Sequence, residues 1–337
     1  MDVSPLAWLV SLGLAVALLI VDVVIVARRP HVPETAECLR YLAVYVGMAL
    51  LFGLGVWATS GAQFAGEFYA GWLTEYSLSV DNLFVFLLIM GKFRVPRQFQ
   101  QSALLVGIIL ALVFRGIFIG LGAAAISNFS WVFYLFGAFL VWTAVKVGRN
   151  VESEDEEFTP PLVVRWLQRA LPSTTEYHGV QLTAKIDGRR VITPMLIVLV
   201  ALGATDLLFA FDSIPAIFGL TSEPYLILMA NLFALMGLRQ LYFLLGGLLS
   251  RLVYLNIGLA VLLGFIGVKL LLHALHENKL PFINGGEPVG WAPDLPIGIS
   301  LGAILGTLVV TAVASILKSR HDDRVAARSA VQSVQGP

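Results

Sequence analysis

Residues 193–217 read TPMLIVLVALGATDLLFAFDSIPAI, an apolar run broken only by two carboxylates, Asp206 and Asp212, and by Pro215 near its end. A helix rises ~1.5 Å per residue, so a run of this length covers the ~30 Å hydrocarbon core of a bilayer. Eight further runs resemble it, at roughly 6–27, 39–58, 68–90, 102–126, 130–148, 225–247, 253–275 and 297–317. The chain is 58% hydrophobic and 13% charged, whereas a soluble chain holds ~45–50% and ~25%. The excess of apolar residues needs a nonaqueous solvent and leaves little for a soluble domain. The expected class is therefore an all-α polytopic membrane protein of about nine transmembrane helices. The first run ends in Ala27-Arg28-Arg29-Pro30 without an Ala-x-Ala cleavage pattern, and is read as a retained helix.

The direction of the spans follows from lysine and arginine, which concentrate in short cytoplasmic loops. Arg28, Arg29 and Arg40 flank the first loop; Lys92, Arg94 and Arg97 the third; Arg149, Arg165, Arg169, Lys185, Arg189 and Arg190 lie in 149–192; Lys318, Arg320, Arg324 and Arg328 lie in the tail. The alternate loops hold Lys279 alone. The expected arrangement puts the N-terminus outside and the C-terminus in the cytoplasm. The 149–192 loop opens with an acidic run at 152–157, read as a solvated linker. It also holds Lys185-Ile186-Asp187-Gly188-Arg189-Arg190, whose Asp-Gly pair suits a small hairpin.

An ionised group near the bilayer centre costs ~2.5–3.5 kcal/mol on the lenient insertion scale, so each needs a partner or a water-lined cavity. Seven sit deep in these runs: Glu75, Asp81, Arg115, Asp206, Asp212, Arg239 and Lys269. Their order repeats. Glu75 and Asp81 are six apart, as are Asp206 and Asp212; Arg115 precedes Lys146 by thirty-one residues and Arg239 precedes Lys269 by thirty. Each copy takes three spans, so the second enters the membrane from the opposite face. That pattern is expected of two inverted three-helix repeats with a site at the midplane between them. The chain divides accordingly into two N-terminal spans (1–67), repeat one (68–148), a cytoplasmic loop (149–192), repeat two (193–275), an outer loop (276–296) and a last span with its tail (297–337).

Six residues on a regular helix leave the paired acids ~120° apart, so local unwinding would be needed to bring them onto one face. Pro215 cannot donate to the Phe211 carbonyl, which makes that oxygen a candidate cation ligand beside Asp212. Oxygen donors without cysteine or histidine beside them favour Mn²⁺, Mg²⁺ or Ca²⁺ over Cu⁺ or Zn²⁺. Four acids against Arg115, Arg239 and Lys269 leave one negative charge formally unmatched, with some acids expected to bind and others to be held by arginine. His273, His276 and Glu277 are read as an interfacial polar cap, and Trp131, Tyr134 and Trp142 as interface or packing aromatics. The single Cys38 excludes an intramolecular disulfide framework and a thiolate cluster. No basic, aromatic-rich stretch points to nucleic acid. Neither an enzymatic activity nor a prosthetic group is expected.

Four strings, EYSLSVDN (75–82), DLLFAFDSIPA (206–216), NLFALMGLRQLYF (231–243) and GVKLLLHALHEN (267–278), resemble the TerC/Alx family, a likeness that runs from the second span to the ninth. The family carries a tellurium-resistance name, is similar to the LysE exporter superfamily, and includes an Alx-like branch linked to manganese export across the bacterial inner membrane. The resemblance implies that Asp81 with Asn82, and Asp212 with Ser213, handle the ion, supported by Glu75 and Asp206. It also implies Mn²⁺ as cargo; the two inverted repeats suit alternating access, and the buried carboxylates suit an exchange of the cation for protons. Two other functions remain open: export of an amino acid or oxyanion, and a membrane-assembly role without transport, as in plant members of the family. Oligomerisation is left open.

Overall fold

The computed structural model describes residues 3–28, 33–129, 131–149, 161–186, 189–245, 254–293 and 295–334. The acidic run 152–157, the Asp187-Gly188 turn and the side chain of Asp81 lie outside the described residues. The chain is a multi-pass, almost wholly α-helical membrane protein. Its helices are α1 (Pro5–Arg28), α2 (Thr35–Ser60), α3 (Ala62–Lys92), α4 (Arg97–Asn128), α5 (Val132–Arg149), α6 (Leu162–Ala170), α7 (Pro194–Phe218), α8 (Pro224–Met236), α9 (Leu238–Leu245), α10 (Leu255–His276) and α11 (Ile297–Val334). Eight spans long and apolar enough to cross a membrane are found among the described residues: α2, α3, α4, α5, α7, α8 continued by α9, α10 and α11. The remaining expected span falls on α1, where the described apolar stretch is the shorter Pro5–Leu18.

Local chemistry sets the helix ends. Pro194 and Pro224 open α7 and α8 at positions where a missing N–H costs nothing. Gly61, at φ 98°, reverses the chain between α2 and α3 in a conformation side chains rarely adopt. The expected single span 225–247 divides at Gly237, where α8 gives way to α9. Within the 149–192 segment, β1 (Thr183–Ile186) and β2 (Arg189–Ile192) pair antiparallel, with Thr183 opposite Ile192 and Ile186 opposite Arg189.

The bundle is dry on the outside and polar in the middle. On α4, Val113, Ile117 and Leu121 form an exposed i, i+4, i+8 stripe while Arg115 is fully buried. Among the spans, α3 packs on α8 as α4 packs on α7, and α5 lies along α10. The last contact is the closest. A Cβ on Gly267 would lie 2.9 Å from the Val141 backbone nitrogen, and one on Gly137 would lie 3.0 Å from the Gly267 carbonyl. Small residues let membrane helices approach in this way. Two apolar cores stack along the axis of the bundle. One gathers Phe68, Trp72, Phe218, Tyr225 and Phe233, the other Leu83, Phe86, Met90, Leu104, Met195 and Leu202. Between them, the buried polar side chains Thr74, Glu75, Ser79 and Asn82 of α3 and Thr205 and Asp206 of α7 form a polar layer.

Candidate ion site

The centre of that layer is Arg115, on α4. Its Nη1 donates to Oε2 of Glu75 on α3 and approaches Oδ1 of Asn231 on α8 at 3.5 Å, while Nη2 lies 3.5 Å from Oδ1 of Asp206 on α7. The Asn82 amide, oriented to satisfy its neighbours, accepts from Nη2 at 3.3 Å and donates to the Leu78 carbonyl at 3.1 Å. All five side chains are buried. Two carboxylates thus share one guanidinium, so with both acids ionised the centre carries a formal charge of −1. Oε1 of Glu75, Oδ2 of Asp206, Nδ2 of Asn231 and the hydroxyls of Thr74, Ser79, Thr205 and Ser213 are buried without a protein hydrogen-bond partner. Buried polar atoms of this kind are costly unless something satisfies them. They are mostly hard oxygen donors, which suits a hard or borderline cation passing through. Among the described residues no three acids, histidines or cysteines converge as a resident metal would require.

The six deep charges whose side chains are described are not gathered into one cluster. Helix α7 runs unbroken from Pro194 to Phe218 with Pro215 inside it, so Asp206 and Asp212 keep the separation of a regular helix instead of swinging together. Asp206 faces Arg115; Asp212 is half-buried and accepts from Thr143 of α5 at 3.2 Å, within electrostatic reach of Lys146. The Phe211 side chain is half exposed and meets Phe118 edge-on at 5.3 Å. Arg239, on α9, lines a cavity of about 10 Å³ with Glu37, Cys38, Tyr41 and Gln101 near the start of α2. Lys269, on α10, lines a much larger cavity of about 620 Å³ at the opposite end, with Glu67, Thr221, Glu223 and His273. There Glu67 accepts from Thr221 at 2.6 Å and from Gln63 at 3.2 Å. His276 meets the Ala292 carbonyl at 3.0 Å, whereas His273 stacks edge-on to Phe133 at 5.3 Å; the two rings serve different neighbours.

Asn231 and Glu67 belong to these clusters although charge spacing did not single them out. Asn231 is neutral and so does not register in a count of costly charges; its isolation in an apolar run is the signal that marks it. Glu67 fell one residue before the expected start of the third span at 68, whereas α3 begins at Ala62.

A family model described as the integral membrane protein TerC family matches residues 60–323. An uncharacterized membrane protein of Mycobacterium tuberculosis (strain ATCC 25618 / H37Rv) is 48% identical over 95% of this chain and 81% of its own length. One of Myxococcus xanthus is 38% identical over 94% of each. The Escherichia coli (strain K12) protein named Alx, described as a proposed membrane-bound redox modulator, is 36% identical over 95% of this chain and 97% of its own. No solved structure matches.

Proposed function

We propose that this chain, which belongs to the TerC family of integral membrane proteins, is a secondary transporter that exports a divalent cation, Mn²⁺ in the first place, across a bacterial inner membrane. The observation that carries the reading is the buried centre in which Arg115 is held between Glu75 of one three-helix unit and Asp206 of the other. One acid oxygen on each side remains unengaged there, and the formal charge is negative. The pairing of α3 with α8, α4 with α7 and α5 with α10 supports two related units that rock against each other. The cavity of about 620 Å³ lined by Glu67, Thr221 and Lys269 offers a polar vestibule on the outer side in this reading.

An anion exporter would present an unpaired arginine to its substrate; here Arg115 is engaged by two acids, which favours a cation. The redox role named for Alx would need chemistry other than a dithiol couple within one chain, since Cys38 is the sole cysteine. Proton return through the same carboxylates completes the cycle, because a cation and protons compete for one buried set of oxygens. No enzymatic step is involved.

The test is uptake by proteoliposomes of the full chain, with Mn²⁺, Mg²⁺ and Ca²⁺ in competition and an internal pH dye. Asp206→Asn and Asp212→Asn are expected to lower Mn²⁺ flux at least tenfold. Full flux in both variants defeats the site, and absence of flux in the unaltered chain defeats the function. A cellular phenotype that survives both substitutions but not changes to 149–192 would instead mark a membrane-assembly protein.

A further inference from the structure

Helix α6 has no part in the centre or the cavities, yet it carries the most lopsided surface of the chain. Its sequence is LVVRWLQRA. At ~100° per residue, Leu162, Trp166 and Val163 fall within an arc of about 100°, with Arg165 and Arg169 along one edge and Val164 and Leu167 beyond the other. The bundle covers only the last pair: Val164 is fully buried in the core that includes Val95, Ile192 and Met195, and Leu167 packs against it. Leu162, Trp166 and Val163 remain 78%, 65% and 54% exposed.

Two features identify what covers that arc. Val95 lies between α3 and α4, and Met195 is the second residue of α7, so α6 is fastened where three spans leave the hydrocarbon. Its level is that of lipid headgroups, where tryptophan and arginine are both favoured. The charges beside the arc are cationic, and the neighbouring Lys92, Arg94 and Arg97 have the same sign, which complements anionic lipid. A helix with a strongly apolar face, a basic flank and little net hydrophobicity lies in the plane of the interface.

We infer that α6 is an interfacial helix whose Leu162, Val163 and Trp166 enter the inner leaflet while Arg165 and Arg169 bind anionic phospholipid headgroups. It ties the 161–192 segment to the membrane surface whatever cargo the bundle carries.

The test places a nitroxide on the full chain in nanodiscs of phosphatidylcholine with phosphatidylglycerol, through Val163→Cys or Gln168→Cys; the native Cys38 is buried and does not compete for label. The label at 163 is expected to relax with oxygen and be shielded from a water-soluble nickel chelate, and the label at 168 the reverse. Equal access of nickel to both puts α6 in water and overturns the inference, as does shielding of both from both reagents, the mark of a second copy or another protein. In native mass spectrometry Arg165→Gln and Arg169→Gln are each expected to weaken phosphatidylglycerol retention roughly fivefold and leave phosphatidylcholine unchanged. Undiminished retention in the double variant also overturns it.

Discussion

Arg115→Met leaves Glu75 and Asp206 facing one another in the polar layer without the guanidinium that separates them. Removing one partner of a buried ion pair costs ~3–5 kcal/mol, because the remaining charge is neither solvated nor matched. Thermal unfolding in detergent is expected to report a loss of that size, with a smaller loss when Arg115→Met is combined with Glu75→Gln and Asp206→Asn. An unchanged midpoint for the single variant would mean that the acids find other partners. A second residue acts outside the membrane. Tyr177 donates to the Phe93 carbonyl at 2.8 Å, fastening the 161–192 segment to the end of α3, and burial pushes its phenol from 10.0 up to about 12. Since the folded value is the higher one, this fastening is complete below pH 10 and is lost as pH rises toward about 12. Limited proteolysis of the segment is expected to accelerate over that window, and Tyr177→Phe to abolish the dependence. Glu75, Arg115 and Asp206 were legible in the sequence because a charge in an apolar run is expensive and must have a reason. Asn231 was not, since a neutral amide falls outside a count of charges although its burial is also costly. Spacing alone also left open that Arg239 and Lys269 sit at opposite ends of the bundle. Depth depends on where each helix begins, and α9 begins afresh at Leu238.

At the scale of elements, α5 and α10 meet backbone to backbone. Gly267→Leu forces a Cβ to within 2.9 Å of a main-chain nitrogen that cannot turn aside. Overpacking of this kind costs ~1–3 kcal/mol, and the variant is expected to unfold earlier in detergent. Gly264→Ala is the control, since its Cβ would meet Ala144 at an ordinary 3.6 Å; equal losses in both would show that the close backbone approach is not the source of the cost. The spans themselves could be read from run length, because the bilayer thickness imposes it. The break at Gly237 could not, because glycine is frequent inside membrane helices and the apolar run resumes at Leu241. Nor was α6 visible, being a nine-residue amphipathic turn of helix in a loop read for its charges.

For the molecule as a whole, the distribution of lysine and arginine predicts an N-terminus outside and a C-terminus in the cytoplasm, and fusions test it. A green fluorescent protein fused after Pro337 is expected to fluoresce in intact cells, and alkaline phosphatase at the same position to be inactive. The opposite pair of results would reverse the arrangement and exchange the two cavities between the faces of the membrane. The stacking of two apolar cores with a polar layer between them was foreshadowed by the positions of the rare charges, while the cavity beside Lys269 depends on helix tilt, which no run of residues encodes.

The shared guanidinium also bears on the membrane potential. With both acids ionised, Glu75, Arg115 and Asp206 sum to −1, so on the export reading the centre carries +1 with a divalent ion aboard and −1 after release. Each half of the cycle then moves one elementary charge against a field negative inside, ~2.3 kcal/mol per 100 mV, and neither half bears the whole electrical load. A single returning proton would make the empty centre neutral and its half indifferent to voltage. Had the arginine been absent, the same acids would leave the loaded centre neutral and concentrate all the voltage dependence in the return.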